Sequence, residues 1–412
     1  MKSIYDIRDY GASPDPQFDS TKAIQEAIDQ CNKNGGGTVL VADGTYLFYP
    51  LRLKSNVRLE IAWNATLLAG SDPEKYPLIE PNDVWDVDYA LRGNRRCVIY
   101  AEGEQHIAIV GQGKIDFQGT TFINVDEELK PFAGHWKRKS DTMIPGRGLF
   151  FVGCTDIRLE DLFLTNPAGW FTWFLNCQRV LVRGVTMRAD LRMPNSDGIH
   201  FGSCDNCRVS DCDISTGDDC IIVRGMQEQF DKSIPCQNVT VTNCILQSST
   251  SAVRIGWTHD GIQRNCTFSN LVIKESRDGF SIIVPPMRNP QPDPPRYGDF
   301  PPPKEVEPFA VENISVSNIV ADTHGPLLNI RLAPDAKVDY VRRIAFRGVQ
   351  AVSDRPPSVV ALPEQNVSDL EFTDVDIELR AIPGKDDGSN ANIRFQNAQN
   401  ILLNNFRIRK SC

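Results

Sequence analysis

The sequence lacks any apolar run approaching the ~18 residues that a membrane-spanning helix requires, so no membrane span is expected. It also lacks an excess of positive charge, because 44 Lys and Arg stand against 53 Asp and Glu and the formal net charge is −9. That balance argues against a nucleic-acid partner and against binding to an anionic membrane surface. With 41% hydrophobic and 24% charged residues, the 412-residue chain has a globular composition, which excludes wholesale disorder.

The first residues have no apolar stretch and no small-residue cleavage site typical of a secretory signal. If residue 1 is the native start, we expect a cytoplasmic protein. If a leader was trimmed, the location stays open.

Cysteine is too sparse for a disulfide-stapled scaffold, with 12 residues in the whole chain. Cys204 and Cys207 form a lone C-x-x-C pair without a second pair or a histidine at ligand spacing, so neither a zinc site nor another metal or cofactor is expected. Cys154, Cys177 and Cys236 open phrases similar to that of Cys204. We predict that these side chains stack in the core as reduced thiols.

A phrase of short β-prone runs recurs along the chain at intervals of about 22 to 30 residues, which is the period of a solenoid. Several runs follow an asparagine, as at Asn238, Asn313 and Asn400. The L-x-x-L-x-L signature of leucine-rich repeats and the helical periodicity of ankyrin or tetratricopeptide repeats are missing. A β-sandwich fits poorly, because its strands would return every 8–12 residues. The pattern therefore predicts an all-β parallel β-helix, in which side chains of successive coils stack in ladders ~4.8 Å apart.

We predict that the whole chain, residues 1–412, is one domain. Residues 19–31 have the apolar spacing of an amphipathic helix, with Asp19 or Ser20 as N-cap and glycines at 35–37 after its end, and are expected to cap the N-terminal end of the solenoid. Two stretches, 120–146 and 284–309, break the repeat. The second holds ten of the 27 prolines and is expected to be an extended loop beside a groove or a subunit contact.

Three acidic residues have the spacing of one coil. Asp197 lies in an Asn-x-Asp-Gly motif, and Asp218 and Asp219 follow 21 and 22 residues later in Gly-Asp-Asp-Cys. On neighbouring coils these carboxylates would converge, and a carboxyl pair is what glycoside hydrolysis needs for proton donation and for activating water. Turn-forming aspartates or a Ca²⁺ site would give the same pattern, so the spacing alone leaves these alternatives open.

These motifs resemble the polygalacturonase-like glycoside hydrolases of family 28. The likeness covers most of the chain: YDIRDYGA at residues 5–12, TKAIQ at 21–25, GQGKID at 111–116, NPAGW at 166–170 and the two aspartate motifs. The resemblance implies a right-handed parallel β-helix and a glycoside hydrolase that inverts the anomeric configuration. It implies that Asp218 is the general acid and that Asp197 and Asp219 hold and deprotonate the attacking water.

The sequence departs from the family where that family binds galacturonate. Ser251 stands where the family has the His of Gly-His-Gly, and residues 279–283 (GFSII) replace an Arg-Ile-Lys, leaving no cation there. A uronate in the cleaved subsite would call for a fork of cationic donors. We therefore expect a neutral or deoxy sugar, such as rhamnose or galactose, at the cleaved position of a pectin-derived oligosaccharide.

Further candidates for substrate binding are Asn195 beside Asp197, Arg224 and Arg254 at strand positions on the same coils, and Trp257 as a sugar-stacking platform. Trp170 and Trp173 fit either a platform or the core. His200 and His259 are weaker candidates for lining the groove.

The prediction is an exo-acting glycoside hydrolase whose partners are oligosaccharides or polysaccharides, with the two insertions closing one end of the groove. Two alternatives stay open: a polysaccharide lyase on the same fold, which would use Ca²⁺ and an Arg or Lys base, and a carbohydrate-binding solenoid without catalysis.

Overall fold

The recurring β-prone runs form strands that stack in register on successive coils. The computed structural model describes residues 3–79, 96–140, 143–227, 230, 233–286, 307–380 and 393–410. Within these ranges every pairing between strands is parallel, except that of one short pair. The fold is a right-handed parallel β-helix with an N-terminal helix, as the sequence predicts.

The strands of the first half are short. They are β1 (Ile4–Asp6), β2 (Gly37–Val41), β3 (Gly44–Phe48), β4 (Leu51–Arg52), β5 (Val57–Ile61), β6 (Ala65–Ala69), β7 (Cys97–Glu102), β8 (Gln105–Gly111), β9 (Lys114–Asp116), β10 (Ile123–Asn124), β11 (Lys137–Arg138), β12 (Arg147–Val152), β13 (Thr155–Glu160), β14 (Phe163–Thr165), β15 (Trp170–Leu175), β16 (Gln178–Arg183) and β17 (Thr186–Arg188).

Several strands of the second half are longer and continue around a corner of the coil. The strands are β18 (Ile199–Gly202), β19 (Asp205–Ser210), β20 (Asp213–Thr216), β21 (Ile221–Arg224), β22 (Cys236–Ser248), β23 (Ser251–Ile255), β24 (Ile262–Ser276), β25 (Asp278–Val284), β26 (Phe309–Pro326), β27 (Leu328–Leu332), β28 (Val338–Arg355), β29 (Ser358–Val360), β30 (Val367–Leu379), β31 (Arg394–Gln396) and β32 (Ala398–Lys410).

One sheet positions the candidate site, and we call it the site sheet. Its order is β4-β7-β12-β15-β18-β21-β23-β25-β27-β29-β31, one strand per coil. Alternate residues point inward to a single hydrophobic core that extends along the solenoid from Tyr5 to Leu379. The other residues point outward, and they include the row Phe150, Trp173 and His200 on paired strands.

The predicted capping helix is present but begins two residues later and ends two residues later than expected, at Thr21–Lys33 (α1). Asp19 accepts a hydrogen bond from the backbone N–H of Thr21 at 3.1 Å, which explains the later start. The helix buries Ala23, Ile24 and the apolar side chains one turn on against the first coil. No helix of the described residues is long and apolar enough to cross a membrane.

The predicted core thiols are confirmed, because all cysteines in the described ranges are buried and free. They stack along the inside of successive coils, where the Cys204 thiol donates to the Phe174 carbonyl on the preceding coil at 3.2 Å. Most of the proline-rich stretch 284–309 lies outside the described residues.

Candidate functional site

The three acidic residues lie where two neighbouring strands of the site sheet begin. Asp197 precedes β18, and Asp218 and Asp219 precede β21, which pairs with β18. The backbone N–H of Gly198 donates to the Asp219 carbonyl at 2.9 Å, which joins the two motifs directly. The structure therefore brings the predicted carboxylates together, while their catalytic roles stay predictions.

Asp219 is hydrogen-bonded through one oxygen and paired with a buried arginine through the other. Its Oδ1 accepts from the Thr250 hydroxyl at 2.7 Å and from the Ser251 backbone N–H at 2.9 Å. Its Oδ2 lies 3.2 Å from Nε of Arg254, and both side chains are more than nine-tenths buried. These donors and the guanidinium hold the Asp219 carboxyl in a fixed orientation.

Asp218 is half-buried and reaches closer to solvent. Asn195 donates to its Oδ2 at 3.3 Å, and the Thr250 hydroxyl lies 3.0 Å from its Oδ1. Burial and the adjacent Asp219 charge raise the pKa of Asp218, although Arg254 acts in the opposite direction. A raised pKa keeps a carboxyl protonated at a higher pH, as a general acid requires.

Asp197 is only 6% exposed. Its Oδ1 has no hydrogen-bond partner in the described part of the chain, and its Oδ2 lies 3.6 Å from Nδ1 of His200. Burial, followed by the charges of Asp218 and Asp219, raises the pKa of Asp197 well above its ordinary value. The charges of Arg147 and Arg254 oppose that rise without reversing it.

An aromatic and cationic stack lies beside Asp197 on the outward face of the site sheet. The Arg147 guanidinium lies 3.6 Å from the centre of the Trp170 ring. The His200 ring also stacks on Trp170, with the two ring centres 3.9 Å apart. Burial and the charges of the nearby arginines lower the pKa of His200 well below its ordinary value, so its ring is neutral.

The outward face on the N-terminal side of the acids is filled by buried apolar side chains. Phe150 and Trp173 stack at 4.5 Å, and Tyr100 packs against Phe150 at 5.5 Å. Trp173 is 1% exposed and Trp170 is 5% exposed. Of the two possibilities that the sequence left open for these tryptophans, the structure therefore supports core packing rather than a sugar platform.

Trp257 has the exposure that a sugar platform needs, at 40%. The Arg254 guanidinium lies 4.8 Å from its ring centre, so a buried cation connects the exposed indole to Asp219. Arg254 and Trp257 thus lie in one line across the site sheet, from the acids, where the strands begin, to the edge where the strands end.

Arg224 is held by Asp260 through a bidentate pair with distances of 2.7 and 2.9 Å. Ser251 is 1% exposed, and its hydroxyl donates to Ser281 at 2.9 Å. Both side chains are engaged within the protein, so their contact with substrate stays a prediction. His200 is 1% exposed, so it does not line an open groove. His259 is half-buried in the turn after Trp257, and its place beside substrate stays a prediction.

Sequence reasoning missed three residues that act on the acids: Thr250, Arg147 and His135. Thr250 immediately precedes Ser251, so the spacing of one coil after Asp219 would have found it. Arg147 opens β12, two coils before β18, and only the three-dimensional pairing relates it to Asp197. His135 comes from the 120–146 insertion, whose course no repeat pattern predicts.

No group of three or more His, Cys, Asp or Glu side chains within the described ranges is placed to hold a metal ion.

Comparison with protein families gives two matches. Residues 85–233 match the family model described as glycosyl hydrolases family 28, and residues 4–68 match one described as rhamnogalacturonase A/epimerase, pectate lyase-like. The first match contains both aspartate motifs.

Curated relatives are similar at low identity. A probable polygalacturonase of Vitis vinifera is 27% identical over 285 residues, covering 66% of this chain and 55% of the relative, so the match spans about half of that protein. An exopolygalacturonase of Zea mays is 24% identical over 310 residues, covering 68% of this chain and 69% of the relative.

Two solved structures share the fold along nearly the whole chain. The exopolygalacturonase from Thermotoga maritima has a TM-score of 0.71 at 19% identity and covers 99% of this chain and 90% of its own. The family 28 exopolygalacturonase of Yersinia enterocolitica has a TM-score of 0.70 at 21% identity, with 97% and 78% covered. Together the comparisons confirm the predicted fold and the predicted resemblance to a glycoside hydrolase.

Proposed function

We propose that this chain, a divergent member of glycosyl hydrolase family 28, hydrolyses a glycosidic bond of a pectin-derived oligosaccharide with inversion at the anomeric carbon. The observation that carries the proposal is the convergence of Asp197, Asp218 and Asp219 on adjacent coils, with different surroundings for each carboxyl. Carboxyl groups whose surroundings separate their protonation states can divide the acid and base roles.

Asp218 is the general acid in this mechanism. It is the most exposed of the three, so it can reach the glycosidic oxygen. Burial and the Asp219 charge raise its pKa, so it stays protonated to a higher pH than an ordinary aspartic acid. Asn195 donates to its Oδ2, which orients the carboxyl. As the bond between the anomeric carbon and the leaving oxygen breaks, this proton passes from Asp218 to that oxygen.

Asp219 accepts the proton of the attacking water. The Thr250 hydroxyl and the Arg254 guanidinium contact its two oxygens and fix the carboxyl in place. Asp197 lies beside it with one oxygen that the described protein groups leave unbonded, and that oxygen can hold the water. The water oxygen bonds to the anomeric carbon on the face opposite the leaving group, which inverts the configuration.

The cleaved sugar is neutral or deoxy. Beyond Arg254, the outward face continues with Ser281, whose hydroxyl donates to Asp278 at 3.3 Å, while Asn329 donates to the same carboxylate at 2.9 Å. Hydroxyl, amide and carboxylate groups bind sugar hydroxyls, whereas a carboxylate repels a uronate.

A second candidate is cleavage of galacturonate itself. The relatives reported above include proteins described as polygalacturonases. In addition, Arg331 is exposed on the outward face of β27, two coils beyond Arg254, where a cation can pair with a uronate.

The proposed action is exo, because the outward face is closed on one side of the acids. Phe150 and Trp173 are buried there, so an extended sugar chain has no surface to follow in that direction. A terminal sugar can occupy the position next to the acids while the rest of the oligosaccharide extends the other way.

The experiment uses wild-type protein and two isosteric variants. Asp218→Asn removes the general acid. Asp211→Asn is the control, because Asp211 is exposed at a corner of the same coil and has a left-handed φ of 58°, which asparagine also adopts well. Each is incubated with oligogalacturonides and with pectic oligosaccharides that end in rhamnose or galactose, and early products are followed by proton NMR.

We expect wild type and Asp211→Asn to release neutral sugars in the inverted configuration, and Asp218→Asn to lose at least about 100-fold in rate. Equal activity on oligogalacturonides would establish the second candidate. Products that absorb in the ultraviolet would identify a lyase, and retained configuration or full activity of Asp218→Asn would refute the mechanism.

A further inference from the structure

The 120–146 insertion lies along the edge of the site sheet where the acids are. It leaves the solenoid after β9, and its ring contact between Phe132 and His324 at 4.5 Å reaches the coil of β26. The coils of β9 and β26 are six steps apart, which is about 29 Å along the solenoid axis at ~4.8 Å per coil. Its own short pair, β10 with β11, ties its two arms together.

Trp136 anchors the insertion beside the acids. Its backbone N–H donates to the Arg192 carbonyl at 2.8 Å, and its indole N–H donates to the Asp126 carbonyl at 2.8 Å. The Arg192 guanidinium lies 4.4 Å from the indole centre, and the side chain of Trp136 is buried against Met193. The residue before Trp136 is therefore held in a defined place.

That residue is His135, and it bonds to the peptide that precedes the proposed general acid. Its Nε2 lies 2.5 Å from the Gly217 carbonyl oxygen and 3.0 Å from the Ser249 hydroxyl, which itself donates to the same carbonyl. A carbonyl oxygen only accepts, so Nε2 carries the hydrogen. Two donors from different parts of the chain thus converge on one backbone oxygen.

The preceding peptide unit, Thr216–Gly217, is constrained as well. The Gly217 N–H donates to the Ser196 hydroxyl at 2.8 Å, and Ser196 donates in turn to the Met193 carbonyl at 3.0 Å. A side chain at Gly217 would place a Cβ 2.2 Å from the Met193 carbonyl oxygen, so the turn accepts only glycine. The Gly217 N–H and carbonyl belong to the peptide units on either side of its Cα. Both peptide units that lead to Asp218 are therefore held by hydrogen bonds.

We propose that His135 is a positioning residue for Asp218, holding the Gly217–Asp218 peptide through its Nε2–H so that the carboxyl meets the glycosidic oxygen. The inference rests on the proposed function of Asp218. It gives the insertion a part in the reaction beyond closing the groove. A misplacement of about 1 Å at a reacting group costs on the order of 100-fold in rate, so a single bond to the backbone can have a large effect.

The test compares His135→Leu, which removes the donor, with His135→Gln, whose amide N–H has a similar reach. Lys137→Ala, an exposed change two residues along the insertion, is the control. We expect Leu to lower kcat about 10- to 100-fold with KM within about twofold, and Gln and the control to stay within about threefold of wild type.

Hydrogen–deuterium exchange of the peptide spanning Gly217 to Asp219 gives a readout that needs no substrate. Exchange should rise at least about threefold in His135→Leu and stay at the wild-type level in His135→Gln. If wild type hydrolyses no glycan, the proposed function fails and the exchange result still decides the positioning role. Leu and Gln variants that are alike in both kcat and exchange would overturn the positioning role. Thermal melts would identify a Leu variant that has lost its fold. In that case Ser249→Ala, which removes the second donor to the Gly217 carbonyl, is compared with wild type in its place.

Discussion

At Asp197 the requirements of catalysis and of folding oppose each other. The carboxyl is almost fully buried, one of its oxygens has no bond to the described protein groups, and two further carboxyls lie nearby. The resulting rise in its pKa means that the folded protein prefers the protonated, neutral form. An ionised Asp197 would serve water activation at a cost in stability.

We predict that Asp197→Asn stabilises the protein at pH 8 while it abolishes turnover. Because folding raises this pKa, the stabilising contribution is complete below the ordinary value of ~3.9 and is lost as the pH rises through the folded-state value. The variant escapes that loss, so we expect a gain of about 1 kcal/mol in the free energy of unfolding at pH 8.

Urea denaturation of both proteins at pH 8 and pH 4 measures the effect. At pH 4 most of the wild-type carboxyl is already neutral, so the difference should largely disappear. A variant that is less stable than wild type at pH 8 would show that Arg147 and Arg254 outweigh burial at this site.

Individual residues differ in how far the sequence determines their place. The spacing of one coil placed Asp197 beside Asp219, since main-chain pairing carries one coil onto the next. The same reasoning treated Arg224 and Arg254 alike. Their difference depends on Asp260, which lies 36 residues beyond Arg224 in a turn and neutralises it. Such a long-range ion pair leaves no local pattern in the sequence.

The recurring asparagines explain how the elements stay in register. Asn238, Asn265 and Asn313 all have φ near 57°, the left-handed conformation that turns the chain at a corner of each coil. Their side chains form a ladder, with Asn265 donating to Asn238 at 3.3 Å and Asn313 donating to Asn265 at 2.9 Å. Asparagine serves both needs, because it tolerates positive φ and bonds to its equivalent one coil away.

We predict that Asn265→Ala lowers the free energy of unfolding by about 2 kcal/mol, because alanine is strained at positive φ and loses both ladder bonds. Asn265→Gly loses the same bonds but tolerates the backbone conformation, so it should cost less than the alanine variant. Chemical denaturation of the two variants separates the cost of the backbone strain from the cost of the lost ladder bonds. Equal losses would mean that the ladder bonds, and not the backbone conformation, select asparagine here.

At the level of elements, periodicity predicted the strands and the stacking but not their lengths or corners. The phrase that begins at Asn238 is a separate short run in the sequence, yet it lies within β22, a strand of 13 residues that continues around a corner. For the helix, the apolar spacing gave the buried face of α1 correctly, and its start moved because Asp19 bonds to the first turn from outside. Boundaries depend on such single bonds, which propensity does not reveal.

At the scale of the whole molecule, the outward face of the site sheet changes in character along the solenoid axis. Before the acids it carries the buried aromatic side chains of Phe150 and Trp173, and beyond Arg254 it is polar, with buried Ser281 and half-buried Asn329. The 120–146 insertion was expected to close one end of the groove. Its described part follows the edge of the site sheet from the coil of β9 to that of β26, and closure of the groove stays a prediction. The fold follows from the repeat, but the path of an insertion depends on contacts such as those of Trp136 that lie outside the repeat.

The proposed exo action makes a prediction about products. We expect the earliest product from a series of oligosaccharides to be a single sugar, released at a rate nearly independent of chain length, because only the terminal residue occupies the position beside Asp218.

Substrates blocked chemically at one terminus or at the other are the matched controls. A block at the terminus that enters the position beside Asp218 should stop release, and a block at the other terminus should leave it unchanged. The time course is followed by chromatography of labelled oligosaccharides. Early products of mixed intermediate length, or cleavage of oligosaccharides blocked at both ends, would mean that the buried aromatic side chains move aside to admit an extended chain.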